Sequence, residues 1–258
     1  MIKKLISFTI HAHLLLAISA FVFSYGILKF EPNQFEFSIS LALAVYGIYN
    51  FHRLIKLNNN ELPQEMKVWY EQHQLFLKYS SLSALLISGI QYLVLIKWAT
   101  LSTPILLTSC LVTMFYISKF KNLNLRLVPM TKSFWIAIVW TLIAVVIPKT
   151  ASSSFQFSDL IFFLLFFALT LPGDIRDCET DKPQMKTIPQ LIGKRNAEIL
   201  FVVFLTSFLF LKYPLDKGFL IIFLSFTIFS FILFRRRFLF RFELMDGLLF
   251  WVGVSLIV

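Results

Sequence analysis

The chain has 258 residues, of which 58% are hydrophobic and only 15% are charged. A water-soluble domain is typically about 45–50% apolar and about 25% charged. This composition excludes a water-soluble globule and an intrinsically disordered chain. The presence of only two cysteines excludes a secreted disulfide scaffold. We therefore predict an integral membrane protein.

Apolar segments long enough to cross a bilayer as helices recur along the chain. Such a span needs about 17–25 mostly apolar residues. About nine spans are predicted, at 7–29, 37–54, 79–98, 101–118, 132–148, 158–174, 197–213, 217–234 and 241–258. Because the connections between them are short, we predict a single all-α membrane domain over residues 1–258.

The Lys and Arg residues are distributed unevenly between the two sides of this predicted bundle. Most of the 24 fall on the side that holds Lys3 and Lys4. Basic residues accumulate on the cytoplasmic side of membrane proteins, so we predict a cytoplasmic N-terminus and a location in the cell (inner) membrane. The net charge of +10 then indicates contact with membrane lipid and predicts no nucleic-acid partner.

The first two predicted helices carry isolated polar residues. His11 and His13 lie within the first, where an ionisable side chain is a functional candidate or a neutral histidine bonded to a neighbouring turn. The second helix ends in YNFHRLIKLNNN. In this string Asn50 and Asn58 share one helix face. Arg53 is either an anion-binding residue or a cation that extends to the membrane surface.

The sixth predicted helix ends in an acidic segment, LPGDIRDCETDKPQMKTIPQLIG. If the helix continues, Asp174, Asp177 and Asp181 share one face within about 60°. Carboxylates oppose the helix dipole at this end, so a positive partner is expected. Oxygen ligands favour a hard cation such as Mg²⁺, which often bridges to substrate phosphates. The alternative is a solvated acidic loop.

The string from Asp174 to Ala197, D-I-R-D-x-E-x-D-K…K-T-I-P-x-L-I-G-x-x-x-A, resembles the second aspartate-rich motif of the UbiA superfamily of intramembrane prenyltransferases. The resemblance implies a ring of about nine helices around a central cavity. It also implies a Mg²⁺-assisted enzyme that transfers an isoprenoid chain from a prenyl diphosphate to an aromatic or other lipophilic acceptor.

The resemblance also implies roles for individual residues at the cytoplasmic helix ends. The implied catalytic residues, which would also bind Mg²⁺, are Asp174, Asp177 and Asp181. The implied further Mg²⁺ ligands are Asn50 and Asn58. The implied diphosphate-binding residues are Arg53, Lys119, Arg126 and Lys186. In the family, the segments that correspond to 59–78 and 182–196 cap the cavity, and we expect short helices in both.

The second predicted helix departs from the family pattern Asn-x-x-x-Asp-x-x-x-Asp. Here the three positions are Asn50, Leu54 and Asn58. Leu54 cannot bind a metal, and Asn58 offers only a neutral carbonyl oxygen. Either the protein remains an enzyme in which residues such as Arg53 bind the diphosphate directly, or it has lost catalysis and binds an isoprenoid lipid or a membrane partner. A transporter is disfavoured because the acidic residues lie at one rim and not at the bilayer midplane.

Overall fold

The computed structural model describes residues 8–62, 64–96, 102–117, 128–179, 186–212 and 242–257. Within these ranges the chain forms helices and turns without any β-strand, so the predicted all-α class is confirmed. The helices are α1 Leu14–Ile27, α2 Gln34–Asn58, α3 Gln64–Leu95, α4 Ser102–Ile117, α5 Thr131–Ala151, α6 Phe162–Asp177, α7 Ile188–Ile192, α8 Lys194–Lys212 and α9 Phe242–Ile257.

Two helical segments are long and apolar enough to cross a membrane by length and composition. They are Thr131–Ala151, which is α5, and Phe157–Asp177, which is α6 with the 3₁₀ turn that precedes it, and each has 21 residues. Helices also occupy the other predicted spans that fall on described residues. The predicted span 217–234 lies outside the described residues, and the nine-span topology stays a prediction.

The chain divides into two compact units. Unit 1 comprises Met1–Thr103, Pro148–Ser153 and Asp246–Val258, and unit 2 comprises Pro104–Ile147 and Ser154–Met245. In unit 1, α2 packs against both α1 and α3. In unit 2, α6 packs against both α5 and α8.

Close backbone approaches in unit 1 depend on glycine. A Cβ atom added at Gly253 in α9 would lie 2.5 Å from the backbone nitrogen of Phe23 in α1. A Cβ atom added at Gly47 in α2 would lie 2.9 Å from the carbonyl oxygen of Ser81 in α3. Both contacts leave no room for a side chain, so these glycines set how closely the helices of unit 1 pack.

Helix α3 is a single helix of 32 residues, which corresponds to about 48 Å. This exceeds the hydrocarbon core of a bilayer, which is about 30 Å thick. The separate short helix predicted within 59–78 is wrong, because Gln64–Leu95 contains no proline and its polar first half consists largely of good helix formers. The short helix predicted within 182–196 is present as α7.

Helix α5 contains a π-helical turn at Leu142–Val146. The amide of Ile147 donates to the carbonyl oxygen of Leu142, five residues earlier. Pro148 follows directly and has no amide hydrogen for the helix ladder. A π turn beside such a residue is a common way for a helix to accommodate the missing bond.

Candidate functional site

Asp174, in the last turn of α6, is held by two residues from the first turn of α5. Its side chain is almost completely buried, with 3% of the residue exposed. The Nζ atom of Lys132 lies 2.7 Å from its Oδ1 atom, and the Ser133 hydroxyl donates a hydrogen bond to its Oδ2 atom. The positive partner expected for this acidic helix end is therefore present, and both carboxylate oxygens are engaged.

Asp177, the last residue of α6, is the more accessible carboxylate. Its side chain is 33% exposed. The guanidinium of the neighbouring Arg176 forms a two-pronged contact with it, with Nε to Oδ1 at 2.6 Å and Nη2 to Oδ2 at 2.8 Å. Because both side chains are partly exposed, this carboxylate can exchange its partner for another charged group at low cost.

Only the first two members of the helical face predicted for Asp174, Asp177 and Asp181 fall on described residues. Helix α6 ends at Asp177, and Asp181 lies outside the described residues. Beyond the helix end, the exposed carboxylate of Glu179 pairs with Lys194 at 2.5 Å. Glu179 therefore has a different cationic partner from those of Asp174 and Asp177.

The segment around α7 is tied to the end of α6 and to the start of α5. The side chain of Gln190 accepts a hydrogen bond from the Thr187 amide at 2.9 Å and donates one to the Cys178 carbonyl at 3.1 Å. The Met130 amide, just before α5, donates to the carbonyl of Lys186 at 3.0 Å. The exposed Lys186 is thus tethered, through its backbone, to the same end of α5 that holds Asp174.

Lys119 and Arg126, like Asp181, lie outside the described residues. The cluster that the structure does bring together in unit 2 consists of Lys132, Ser133, Asp174, Arg176, Asp177 and Lys186. Of these, Lys132, Ser133 and Arg176 are not among the predicted site residues, and no local sequence feature marks a serine that contacts a carboxylate 41 residues later.

In unit 1, the first predicted helix is broken. Residues 8–11 form a helical turn, Ala12 and His13 form a turn, and α1 then begins at Leu14. His13 has a left-handed backbone conformation, with φ of 53°. The continuous span predicted at 7–29 therefore differs from the structure at this point.

Side chains from α2 and α3 bind the carbonyl groups at the break. The Nδ2 atom of Asn50 donates to the Ala12 carbonyl at 2.8 Å, and the hydroxyl of Tyr70 donates to the His11 carbonyl at 2.6 Å. Asn50 and Tyr70 are both fully buried. Burial raises the pKa of Tyr70 to about 12, although the nearby guanidinium of Arg53 acts in the opposite direction. Sequence reasoning missed Tyr70, since it stands in a polar stretch without a motif.

The three positions of the degenerate motif on α2 have different environments. Asn50 is fully buried, Leu54 is 6% exposed and packs in an apolar core with Tyr70, and Asn58 is exposed at the end of the helix. Arg53 is half-buried. The shared helix face of Asn50 and Asn58 therefore does not give them a shared environment.

The carboxylates of unit 2 fit Mg²⁺ only in part. Among the described residues, no group of three or more His, Cys, Asp or Glu side chains could hold a metal ion. Asp174 does not fit, because Lys132 and Ser133 occupy its oxygens. Asp177 fits once Arg176, which contacts both of its oxygens, turns to another anion, because its carboxylate is partly exposed.

No family model, curated protein or solved structure matches the chain. The functional interpretation therefore depends on the residues of the chain and on their geometry.

Proposed function

We propose that the chain is a membrane-embedded enzyme that transfers an isoprenoid chain from a prenyl diphosphate to a lipophilic acceptor. The observation that supports this proposal is the cluster in unit 2, where the carboxylates at the C-terminal end of α6 pair with Arg176 of the same helix and Lys132 of α5. In this proposal about nine helices form a UbiA-like ring in the cell membrane, with the cluster and the N-terminus on the cytoplasmic side.

A membrane location is supported by an exposed apolar face on α3. Its residues recur every three or four positions, as expected for one side of a helix. They are Leu75, Tyr79, Leu82, Leu86, Ile90 and Val94. A long apolar stripe is unfavourable in water and favourable against lipid acyl chains. This face is therefore the surface that we assign to lipid.

The charges of the cluster suit a diphosphate leaving group. Arg176 is 25% exposed along its side chain and Lys186 is exposed, so both can contact phosphate oxygens. Arg176 would exchange Asp177 for the diphosphate, which is a favourable bidentate contact. Lys132 is held by Asp174 and would act by positioning α5 and not by direct contact.

Mg²⁺ belongs to the proposal, with Asp177 as a ligand and Asp181 as the second predicted ligand. When bound, it supplies positive charge that stabilises the departing diphosphate. The side chains of the chain itself would bind and orient the diphosphate, and the apolar surroundings would exclude water from a reactive allylic cation.

A second candidate is a related protein without catalysis, which binds an isoprenoid lipid or a membrane partner. Two observations favour it. Leu54 is a core residue where the family pattern has an aspartate. Both oxygens of Asp174 are already engaged by protein groups. On this interpretation the acidic end of α6 is a structural feature.

Diphosphate release from the purified protein distinguishes the two candidates. Geranyl and geranylgeranyl diphosphate would be offered with and without Mg²⁺, together with a cellular lipid extract as the source of acceptor. We expect Mg²⁺-dependent release that Asp177→Asn abolishes and that Glu179→Gln, at the exposed neighbouring ion pair, retains. Saturable binding without release would favour the second candidate. The absence of both release and binding would refute the enzyme and would leave, of the second candidate, only the binding of a membrane partner.

A further inference from the structure

The helix break between His11 and Leu14 is stabilised by side chains from other helices of unit 1. A continuous helix bonds its own carbonyl groups, whereas a break releases some of them. Away from water, such groups must be satisfied by other parts of the protein. Here the carbonyls of His11 and Ala12 receive hydrogen bonds from Tyr70 and Asn50, which belong to two different helices.

The hydrogen bonds of Asn50 at the break involve its amide nitrogen and not its amide oxygen. Its Nδ2 group donates to the carbonyls of Ala12 at 2.8 Å and Tyr46 at 2.9 Å, so both amide hydrogens are used. Its Oδ1 atom is buried, with no hydrogen-bond partner in the described part of the chain. A metal would need that oxygen, yet the residue is 0% exposed. In these contacts Asn50 therefore acts as a hydrogen-bond donor.

The hydrogen bonds from Asn50 and Tyr70 to the two carbonyl groups, which we call the clamp, also fix the position of an imidazole. His13 is 5% exposed. Its Nε2 atom lies 3.4 Å from the hydroxyl of Tyr70, and its ring centroid lies 5.4 Å from that of Tyr49. Arg53 is near enough to His13 and Tyr70 to interact with both electrostatically. His13 adopts its left-handed backbone conformation in the break itself, so we expect the orientation of its side chain to depend on the break.

We propose that Asn50 is a positioning residue and not a metal ligand: together with Tyr70 it fixes the break before α1, and the break holds His13 in the core of unit 1. This role does not depend on the proposed reaction. It accounts for the presence of asparagine at position 50 without an acidic partner at position 54, because the function of Asn50 here requires N–H donors. An ionised aspartate has none.

The first test compares Asn50→Asp with Asn58→Asp, since the family resemblance implies a metal ligand at both positions. Thermal unfolding of each purified variant would be measured in detergent with and without MgCl₂. We expect Asn50→Asp to unfold at a clearly lower temperature that Mg²⁺ does not restore, because a carboxylate would face two carbonyl groups. We expect Asn58→Asp, at an exposed position, to unfold like the wild type. A wild-type melting temperature for Asn50→Asp that rises with Mg²⁺ would overturn the proposal.

The second test follows His13 directly and uses a milder change. Tyr70→Phe removes one hydroxyl and keeps the ring. Carbethoxylation of His13 by diethyl pyrocarbonate would be followed by mass spectrometry on the folded protein. We expect His13 to be protected in the wild type and modified severalfold faster in Tyr70→Phe and Asn50→Ala.

The control for this test is Gly253→Ala, which disturbs the packing of α9 on α1 at Phe23, well along α1 from the break, and leaves Asn50 and Tyr70 in place. It lowers stability through a different contact, so it separates loss of the clamp from general loosening. We expect His13 to stay protected in this variant at temperatures where the protein remains folded. Equal rates of His13 modification in Gly253→Ala and Tyr70→Phe would refute the positioning role.

Discussion

The Nζ atom of Lys132 lies 2.7 Å from the Oδ1 atom of Asp174, and both residues are more than nine-tenths buried. This ion pair joins the first turn of α5 to the last turn of α6. Burying two charges carries a large desolvation cost, which their attraction and the hydrogen bond from Ser133 offset. The pair therefore fixes the geometry of the acidic helix end in unit 2.

Breaking this ion pair is expected to destabilise the protein strongly. Asp174→Asn leaves the Lys132 ammonium buried without a counter-charge, and we expect a loss of about 3–5 kcal/mol in the free energy of unfolding. Urea unfolding in detergent, followed by circular dichroism, measures this loss. The double variant Lys132→Met with Asp174→Leu should recover most of it, since it removes both charges. A double variant that is less stable than Asp174→Asn would contradict the interpretation.

Asp177→Asn is expected to affect activity far more than stability. The Arg176–Asp177 pair is partly exposed, so its loss should change the free energy of unfolding by no more than about 1 kcal/mol. Diphosphate release should nevertheless be abolished if Asp177 binds the metal. Unfolding and release assays on the same preparation separate the two effects. Turnover equal to that of the wild type would remove Asp177 from the site.

Replacing Leu54 and Asn58 of α2 by the aspartates of the family pattern is expected to change the stability of the protein by different amounts. Leu54 packs in an apolar core with Leu57, Leu77 and Tyr70. Leu54→Asp would place a carboxylate there, at a cost of several kcal/mol, on the order of 3–5. Asn58→Asp lies at an exposed position and should change stability by less than about 0.5 kcal/mol. Comparable melting temperatures for the two variants would show that position 54 faces a polar environment.

The contact between α1 and α9 is too close to accommodate even one added methyl group. Gly253→Ala would place its Cβ atom 2.5 Å from the Phe23 nitrogen, and we expect a destabilisation of about 1–3 kcal/mol. Gly89→Ala provides the control, because nothing lies within 4 Å of its added Cβ atom. That variant should be stabilised by about 0.5–1 kcal/mol, since alanine favours a helix over glycine. Thermal unfolding of both variants tests the contrast.

The contribution of Tyr70 to the stability of the protein is expected to decrease at alkaline pH. Its pKa rises from 10.0 to about 12 on folding, so the folded state holds the proton more tightly than the unfolded state. The resulting stability is fully present below pH 10 and is lost as the pH rises towards 12. The difference in unfolding free energy between the wild type and Tyr70→Phe should therefore shrink across this range. Denaturant unfolding at pH 9, 10 and 11 measures it, and a constant difference would contradict the pKa assignment.

The helical class and most helix positions follow from the sequence alone. Apolar segments of membrane-spanning length predicted helices where the structure has α2, α4, α5 and α8. This information is local, because hydropathy and helix propensity act over neighbouring turns. The acidic end of α6 and its need for a positive partner were also predictable, since the helix dipole disfavours carboxylates there.

Tertiary structure decided which of these residues act together. The sequence does not show that Lys132 approaches Asp174, or that Tyr70 reaches back to His11 across 59 positions. It also gave no reason to expect a break at His13, because the stretch around it is apolar enough for a continuous helix. A left-handed residue there is stable only when other helices supply donors for the released carbonyl groups. Such donors come from distant parts of the chain, so only the packed structure determines them.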